Sequence, residues 1–327
     1  MSGEKSPLVT VKIITYNHAS SICRCIESAL MQRTTFPFEI VIGEDCSTDG
    51  TRAIVRKYAQ RFPRIIKVVT SDANVGLLAN SDRANTACRG EYIAKCDGDD
   101  YWIDPLKLQK QFEAAKEYGA VMAVHASINL QYEGERLKNA SLDQFQSETG
   151  LLKVEDIILR SSDFHSSSFF GKSEIFIKKP DWYYQAISGG DLDVAFKLFV
   201  AGSGKIVYLN EIMSAYQSGQ RGSWMANTME KIAGDEQRLL NYQKANLEMY
   251  KKFDVFSGHR YTGAIQSRIR AILEKHFVVF GNLNLLDLAD NKKKRINMVG
   301  ALSRLAPARV RAGVAQKVVD DVMSRLA

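Results

Sequence analysis

Four apolar runs, each closing on polar residues and each followed by a helical stretch, constrain this chain more than any other feature. Val9–Thr15, Phe38–Ile42 and Ile65–Thr70 are short and rich in β-branched residues, as buried strands are, and Tyr92–Cys96 is a short apolar run of strand type. Between the first two, Ile22, Cys25, Ile26, Ala29 and Leu30 recur at helical spacing over Ser20–Met31. Capping and turn residues place further helices over about 51–61 and about 78–88. Strands and helices alternating in this way predict an α/β fold, a mostly parallel sheet with helices on both faces. Ligands of such sheets bind outside the carboxyl ends of the strands. Here those ends carry Thr15, Tyr16 and Asn17 after the first strand, Glu44 and Asp45 after the second, and Asp97, Asp99 and Asp100 after the fourth. Parallel strands bring all three sets to one edge.

The third set is the sharpest. Three carboxylates within four residues repel one another and raise each other's pKa unless a cation neutralises them. Gly98 lets the backbone bend between them. Oxygen ligands on a tight turn suit a hard divalent ion, Mn²⁺ or Mg²⁺, that keeps positions open for substrate phosphates. The competing reading is a solvated acidic turn before a helix, and Asp104-Pro105 has the form of an N-cap with proline at the first helical position. A Gly-x-Gly-x-x-Gly after the first strand is absent, as is a Walker A loop, so a nicotinamide or P-loop nucleotide site is excluded.

Val9–Asn17, Glu44-Asp45-Cys-Ser-Thr-Asp-Gly-Thr51, Asn74-Val-Gly76, Gly90-Glu-Tyr-Ile93 and Asp97-Gly-Asp-Asp100 together resemble the ordered signatures of family-2 glycosyltransferases of the GT-A fold. The resemblance covers about residues 8–220. It implies an inverting transfer of a sugar from a nucleotide-sugar donor, most often a UDP-sugar, to an acceptor hydroxyl. It further implies that Tyr16 stacks on the base, that Asp45 accepts a hydrogen bond from it, and that Thr15, Asn17 and Glu44 belong to the same donor site. Asp97 and Asp99 then hold the ribose, with Asp99 and Asp100 on the metal. An arginine common after Asn-x-Gly falls at Ser81, and Arg83 is the candidate substitute. The histidine common after the last core strand is replaced by Tyr216-Gln-Ser-Gly-Gln-Arg221, which leaves a third metal ligand unassigned and offers Arg221 to phosphate.

Inverting chemistry needs a carboxylate base apart from the metal acids. Asp191 follows Gly189-Gly190, precedes the helical pattern Leu192, Ala195, Phe196 and Phe199, and matches the family position; Asp193 is its rival. Val121–Leu130 reads as a strand, Tyr132–Glu148 as a polar excursion, and His165–Phe170 as a strand whose serines, with His165, face an acceptor. The alternatives to this enzyme are a nucleotidyltransferase, which needs a phosphate loop after the first strand, and a catalytically inactive nucleotide-sugar-binding protein.

Composition bears mainly on the tail. All of the net charge of +7 is accounted for by Lys292–Lys294, Arg295, Arg304, Arg309 and Arg311, a stretch without acids. Beside it Val310, Val314, Val318 and Val322 recur every fourth residue. A basic amphipathic helix suits an anionic membrane surface, in preference to nucleic acid, or pairing with a second copy. The expected division is a glycosyltransferase domain over 1–224 and a helical region over 225–327. Five cysteines without zinc spacing, and no apolar leader, suggest reduced thiols and a cytoplasmic protein at the inner membrane face, acting on a glycan or lipid-linked acceptor.

Overall fold

The computed structural model describes residues 6–133, 136–143, 148–160, 164–186, 192–218 and 236–280. The chain divides into two compact units. The first comprises Met1–Lys153, Arg160–Pro180 and Phe199–Glu230; the second comprises Val154–Leu159, Asp181–Leu198 and Lys231–Ala327.

The first unit is built on a ten-stranded sheet. β1 (Val9–Thr15) lies between β2 (Phe38–Glu44) and β4 (Tyr92–Asp97), parallel to both, and β3 (Ile66–Thr70) extends the sheet beyond β2. All seven residues of β1 are buried. A fully buried Val or Ile side chain contributes about 1.5–3 kcal/mol, so β1, with Val9, Val11, Ile13 and Ile14 in the interior, is the strand the others assemble around. The helices between them, α1 (Ile22–Leu30), α2 (Thr51–Arg61) and α3 (Leu77–Ala87), complete the alternation expected from the sequence. In α1 the buried residues are Ile22, Cys25, Ile26, Ser28 and Ala29, the apolar stripe read from the sequence plus one serine.

Beyond the two-residue β5 (Tyr101–Trp102), α4 (Lys107–Tyr118) ends on Gly119, whose φ of 59° is the left-handed conformation that closes a helix at little cost in glycine. The helix starts two residues later than the Asp104-Pro105 signal suggests; Asp104 instead accepts the Leu106 N–H and binds the Lys110 ammonium. β6 (Met122–Glu133) pairs in parallel with β10 (Ile206–Ser218), and β9 (Phe170–Lys172) joins β6 to β4 by antiparallel pairing. The strand order is β3-β2-β1-β4-β9-β6-β10-β5, with the hairpin partner β7 (Arg136–Asp143) on β6 and β8 (Gly150–Leu151) on β10. β1, β2, β3, β4, β6 and β10 run in one direction, so the sheet is the mixed, mostly parallel one expected.

Two segments differ from the sequence reading. The polar excursion contains β7, whose residues 136–142 are exposed and so carry no alternation to read. Residues 166–168 form a 3-10 turn, not a strand; the Ser166 and Ser167 hydroxyls bond outward to Asp97 and Asp100, and the Ser168 hydroxyl closes the turn on the His165 carbonyl.

In the second unit, Glu236–Phe256 and Thr262–Phe280 are long helices, with Leu247, Tyr250, Phe253, Ile265 and Ile269 buried. Trp182, on the short helix Asp181–Ala186, packs against Phe253 and Phe256. Among the described residues no helix is long and apolar enough to cross a membrane.

Candidate active site

The register fixes the site. Thr15 pairs with Glu44 and Ile14 with Asp97, so the carboxyl ends of β1, β2 and β4 lie side by side. The chain turns sharply at the first two: Asn17 (φ 56°) and Cys46 (φ 58°) both occupy the left-handed region that non-glycine residues seldom adopt. Hydrogen bonds between the two loops hold that geometry. The Asn17 N–H donates to Ser47 Oγ, the His18 N–H to Thr51 Oγ1 and the Ala19 N–H to Asp49 Oδ2, while Asn17 Oδ1 accepts from the Thr48 N–H. Asp49 also accepts from the Thr51 N–H and hydroxyl, the structural role its position before α2 suggests.

Glu44 and Asp45 sit inside this framework. Glu44 is fully buried, one oxygen accepting from the Ser47 N–H and the other from Arg52 and Thr70. Burial pushes its carboxyl up, but Ser47, Arg52 and Thr70 together hold it below the ordinary value. Asp45 is buried too, and its two oxygens accept the N–H groups of Val75 and Gly76, both at 2.9 Å. Arg83 lies 3.8 Å from Asp45 and donates to the Glu44 carbonyl and to Asn80; its buried Nε has no partner. Tyr16, by contrast, is 38% exposed at the mouth of β1.

The three acids after β4 have separate surroundings. Asp97 binds the Lys95 ammonium at 3.3 Å and the Ser166 hydroxyl. Burial raises its pKa, but Lys95 and Ser166 outweigh that and hold it below the ordinary value. Asp100 is 1% exposed, one oxygen accepting from Ser167 Oγ and the other from the Gln217 N–H at 3.0 Å. Burial, with repulsion from Asp99 and Asp97, pushes it well above the ordinary carboxylate value. Asp99 is also raised, by burial first and by Asp97 after it, against the pull of His18. Its Oδ2 faces His18 Nε2 at 3.9 Å.

Among the described residues no three His, Cys, Asp or Glu side chains converge closely enough to hold an ion unaided. The donor set nonetheless fits a divalent cation shared with a diphosphate, because such ions take one or two protein ligands beside phosphates and water. Gly98 leaves the space: a Cβ there would come within 2.7 Å of His18 Nδ1 and Thr15 Oγ1. Asp100, already bonded at both oxygens, supports the turn.

The structure thus brings together Thr15, Tyr16, Asn17, Glu44, Asp45, Arg83, Asp97, Asp99 and Asp100 at one sheet edge. Asp191, Arg221 and the basic tail lie outside the described residues. Ser166, Ser167 and Gln217, which hold the acids, are not legible in that role. The triple serine was the signal, but an acid-binding role depends on contacts about seventy residues away in sequence. Lys95, two residues before Asp97, sits one pleat away on the same face, and strand alternation alone places it there.

Comparison with known proteins agrees with the fold. The model of glycosyl transferase family 2 matches residues 10–178. The chain belongs to glycosyltransferase family 2 and has the GT-A fold. It is 29% identical over 265 residues to an uncharacterised protein of Mycobacterium tuberculosis, covering 80% of this chain and 73% of that one. Succinoglycan biosynthesis protein ExoO of Rhizobium meliloti is 35% identical over 135 residues, 41% of this chain and 37% of its own length. Among solved structures, TarS of S. aureus in complex with UDP-GlcNAc superposes with a TM-score of 0.59 at 19% identity, covering 97% of this chain and 90% of that one. The mannosyltransferase PcManGT of Pyrobaculum calidifontis, in complex with GDP-Man and Mn²⁺, gives 0.52 at 16% identity, covering 98% and 87%. At those identities the likeness is one of fold.

Proposed function

We propose that this chain is an inverting, metal-dependent glycosyltransferase. It moves a sugar from a nucleotide-sugar, a UDP-sugar in our reading, to the hydroxyl of a glycan or lipid-linked acceptor in surface polysaccharide assembly. The observation that carries the reading is the convergence of three strand ends, which sets an exposed aromatic, Tyr16, beside the partly exposed carboxylates of Asp97 and Asp99. The donor complexes of TarS and PcManGT, and polysaccharide relatives such as ExoO, support it.

In this reading the Tyr16 ring stacks on the base and Asp97 meets the ribose. Glu44 and Asp45, whose oxygens are taken up by the protein, shape the base pocket from behind by holding the 47–52 and 74–76 segments. A Mn²⁺ or Mg²⁺ held at this turn would supply neutralisation of the charge on the departing diphosphate. Asp99 is its carboxylate ligand, because Asp100 is enclosed. Asp191, which directly precedes the helix Leu192–Ser203, takes the proton from the acceptor hydroxyl as it attacks the anomeric carbon.

Transfer from labelled UDP-sugars with and without Mn²⁺ tests the reading. Asp191→Asn is expected to bind nucleotide and metal as the parent does and to lose transfer by several orders of magnitude. Asp191→Asn with most of its activity, beside an inactive Asp193→Asn, would overturn the assignment of the base.

A further inference from the structure

We propose that His18 is a metal ligand: its Nε2, with the carboxylate of Asp99, forms the protein's share of the donor-metal site. The inference rests on the metal-dependent reading above and adds to it a nitrogen ligand from the loop after β1.

Three observations point the same way. His18 Nδ1 lies 3.2 Å from Thr15 Oγ1, a hydroxyl that can accept the Nδ1 proton. In the tautomer in which Nδ1 donates to Thr15 Oγ1, Nε2 is unprotonated, the arrangement by which metal-bound imidazoles are commonly oriented. Nε2 then faces Asp99 Oδ2 at 3.9 Å. This is too long for a hydrogen bond, yet suited to two ligands of one ion. Ligand distances of about 2.1 Å place two donors about 3.0 Å apart at a right angle and about 3.6 Å apart at 120°. Closing the gap therefore takes a movement of less than about 1 Å.

The third observation is the space. Glycine at position 98 is what allows the His18 ring and Thr15 to lie against the acidic turn, since any side chain there would collide with both. The His18 main chain is also held, its N–H on Thr51 and its carbonyl accepting from the Ser21 and Ile22 N–H groups at the start of α1. The imidazole thus projects from a fixed backbone.

The other two acids are committed elsewhere. Asp97 carries Lys95 and Ser166, and Asp100 carries Ser167 and Gln217. A pair made of His18 and Asp99 leaves several coordination positions for diphosphate oxygens and water. One imidazole also shifts selectivity from Mg²⁺, which prefers oxygen ligands, toward Mn²⁺.

Electron spin echo envelope modulation of the full chain with Mn²⁺ and UDP, or GDP if UDP fails to retain the ion, tests this without reference to turnover. The parent is expected to show nitrogen-14 coupling to Mn²⁺, and His18→Gln to lose it. In the same samples Mn²⁺ affinity should fall, with an unchanged circular dichroism spectrum, and Thr15→Val, which removes only the partner that orients the ring, should lose on the order of ten- to a hundredfold and less than His18→Gln does. Retained Mn²⁺ without nitrogen coupling in the parent would overturn the role of His18 and leave the metal-dependent reading standing. Failure of both UDP and GDP to retain Mn²⁺ would overturn the role of His18 and the metal-dependent reading together. Nitrogen coupling that persists in His18→Gln would assign the ligand elsewhere and also sink the proposal.

Discussion

At the scale of single residues, neighbouring carboxylates divide into those that face a ligand and those that hold the protein. Asp99 and Asp100 are adjacent and both raised in pKa, but only Asp100 has its two oxygens bonded to a hydroxyl and a backbone N–H. Removing the Asp100 carboxylate strands both donors in the interior, at about 1–3 kcal/mol each. Asp99→Asn instead removes a charge that burial and Asp97 already disfavour. Thermal melts in chelator should therefore place Asp100→Ala several degrees below the parent and Asp99→Asn at or above it. Nucleotide titrations with Mn²⁺ should show the reverse order of damage, with Asp99→Asn losing the metal-dependent part of the affinity. Equal melting of the two variants would show that Asp100 is not the support. The sequence places all three acids at one strand end. It does not divide their roles, because the division is made by Ser166, Ser167 and Gln217, which reach them from other parts of the chain.

At the scale of elements, the serine turn 166–168 joins the acids to the core. Ser166 and Ser167 hold Asp97 and Asp100, Trp102 Nε1 donates to the Ser167 carbonyl, and the Gln111 amide donates to the carbonyls of Ala123 and Ser168. The turn is thus fixed on both sides, which makes it one unit rather than a set of separate contacts. Gln111→Ala and Ser167→Ala should then lose stability non-additively, by at least about 0.5 kcal/mol in a double-mutant cycle. Urea denaturation of the four proteins measures the coupling, and additive losses would dissolve the unit. Elements of this kind explain what the sequence leaves hidden. β1, β2 and β4 are legible because burial on both faces leaves short, mainly apolar runs, β-branched in β1 and β2, and α1 because one face is apolar. The serine turn owes its shape to hydrogen bonds across the fold. β7, exposed over residues 136–142, is held by main-chain pairing to β6 and carries no pattern of its own.

At the scale of the whole molecule, charge matters in two places. The basic segment Lys292–Arg311, outside the described residues, should draw the chain to anionic vesicles at about 1 kcal/mol per basic residue near the surface, screened by salt. Flotation of the full chain and of a chain lacking residues 291–327 should differ on anionic vesicles and agree on neutral ones; equal flotation would retire a membrane role for the tail. The interior holds the second case. Lys12 and Lys107 are buried, and each has a pKa brought down from 10.5 to about 7. Burial is the first cause for both, with Lys95 and Lys179 adding repulsion at Lys12. Lys12 donates to Ser81 and Asn85, and Lys107 to Gln111 above the Trp102 ring, so each has polar partners but, among the described residues, no carboxylate in hydrogen-bond contact. Between pH 7 and 10.5 the unfolded chain binds more protons at these two residues than the folded chain does. Stability must therefore climb as pH rises through that window. Above pH 9 the trend is opposed by Cys88, whose thiol burial raises to about 12, and by Tyr58, raised by burial and by Glu27. The clean interval is pH 7 to 9. Urea midpoints should rise across it in the parent and rise less in Lys107→Met, which keeps the length of the side chain and removes its charge. At pH 7 the same variant should be the more stable protein. A parent whose midpoint is flat or falls from pH 7 to 9 would show that the two ammonium groups are not held neutral by the fold.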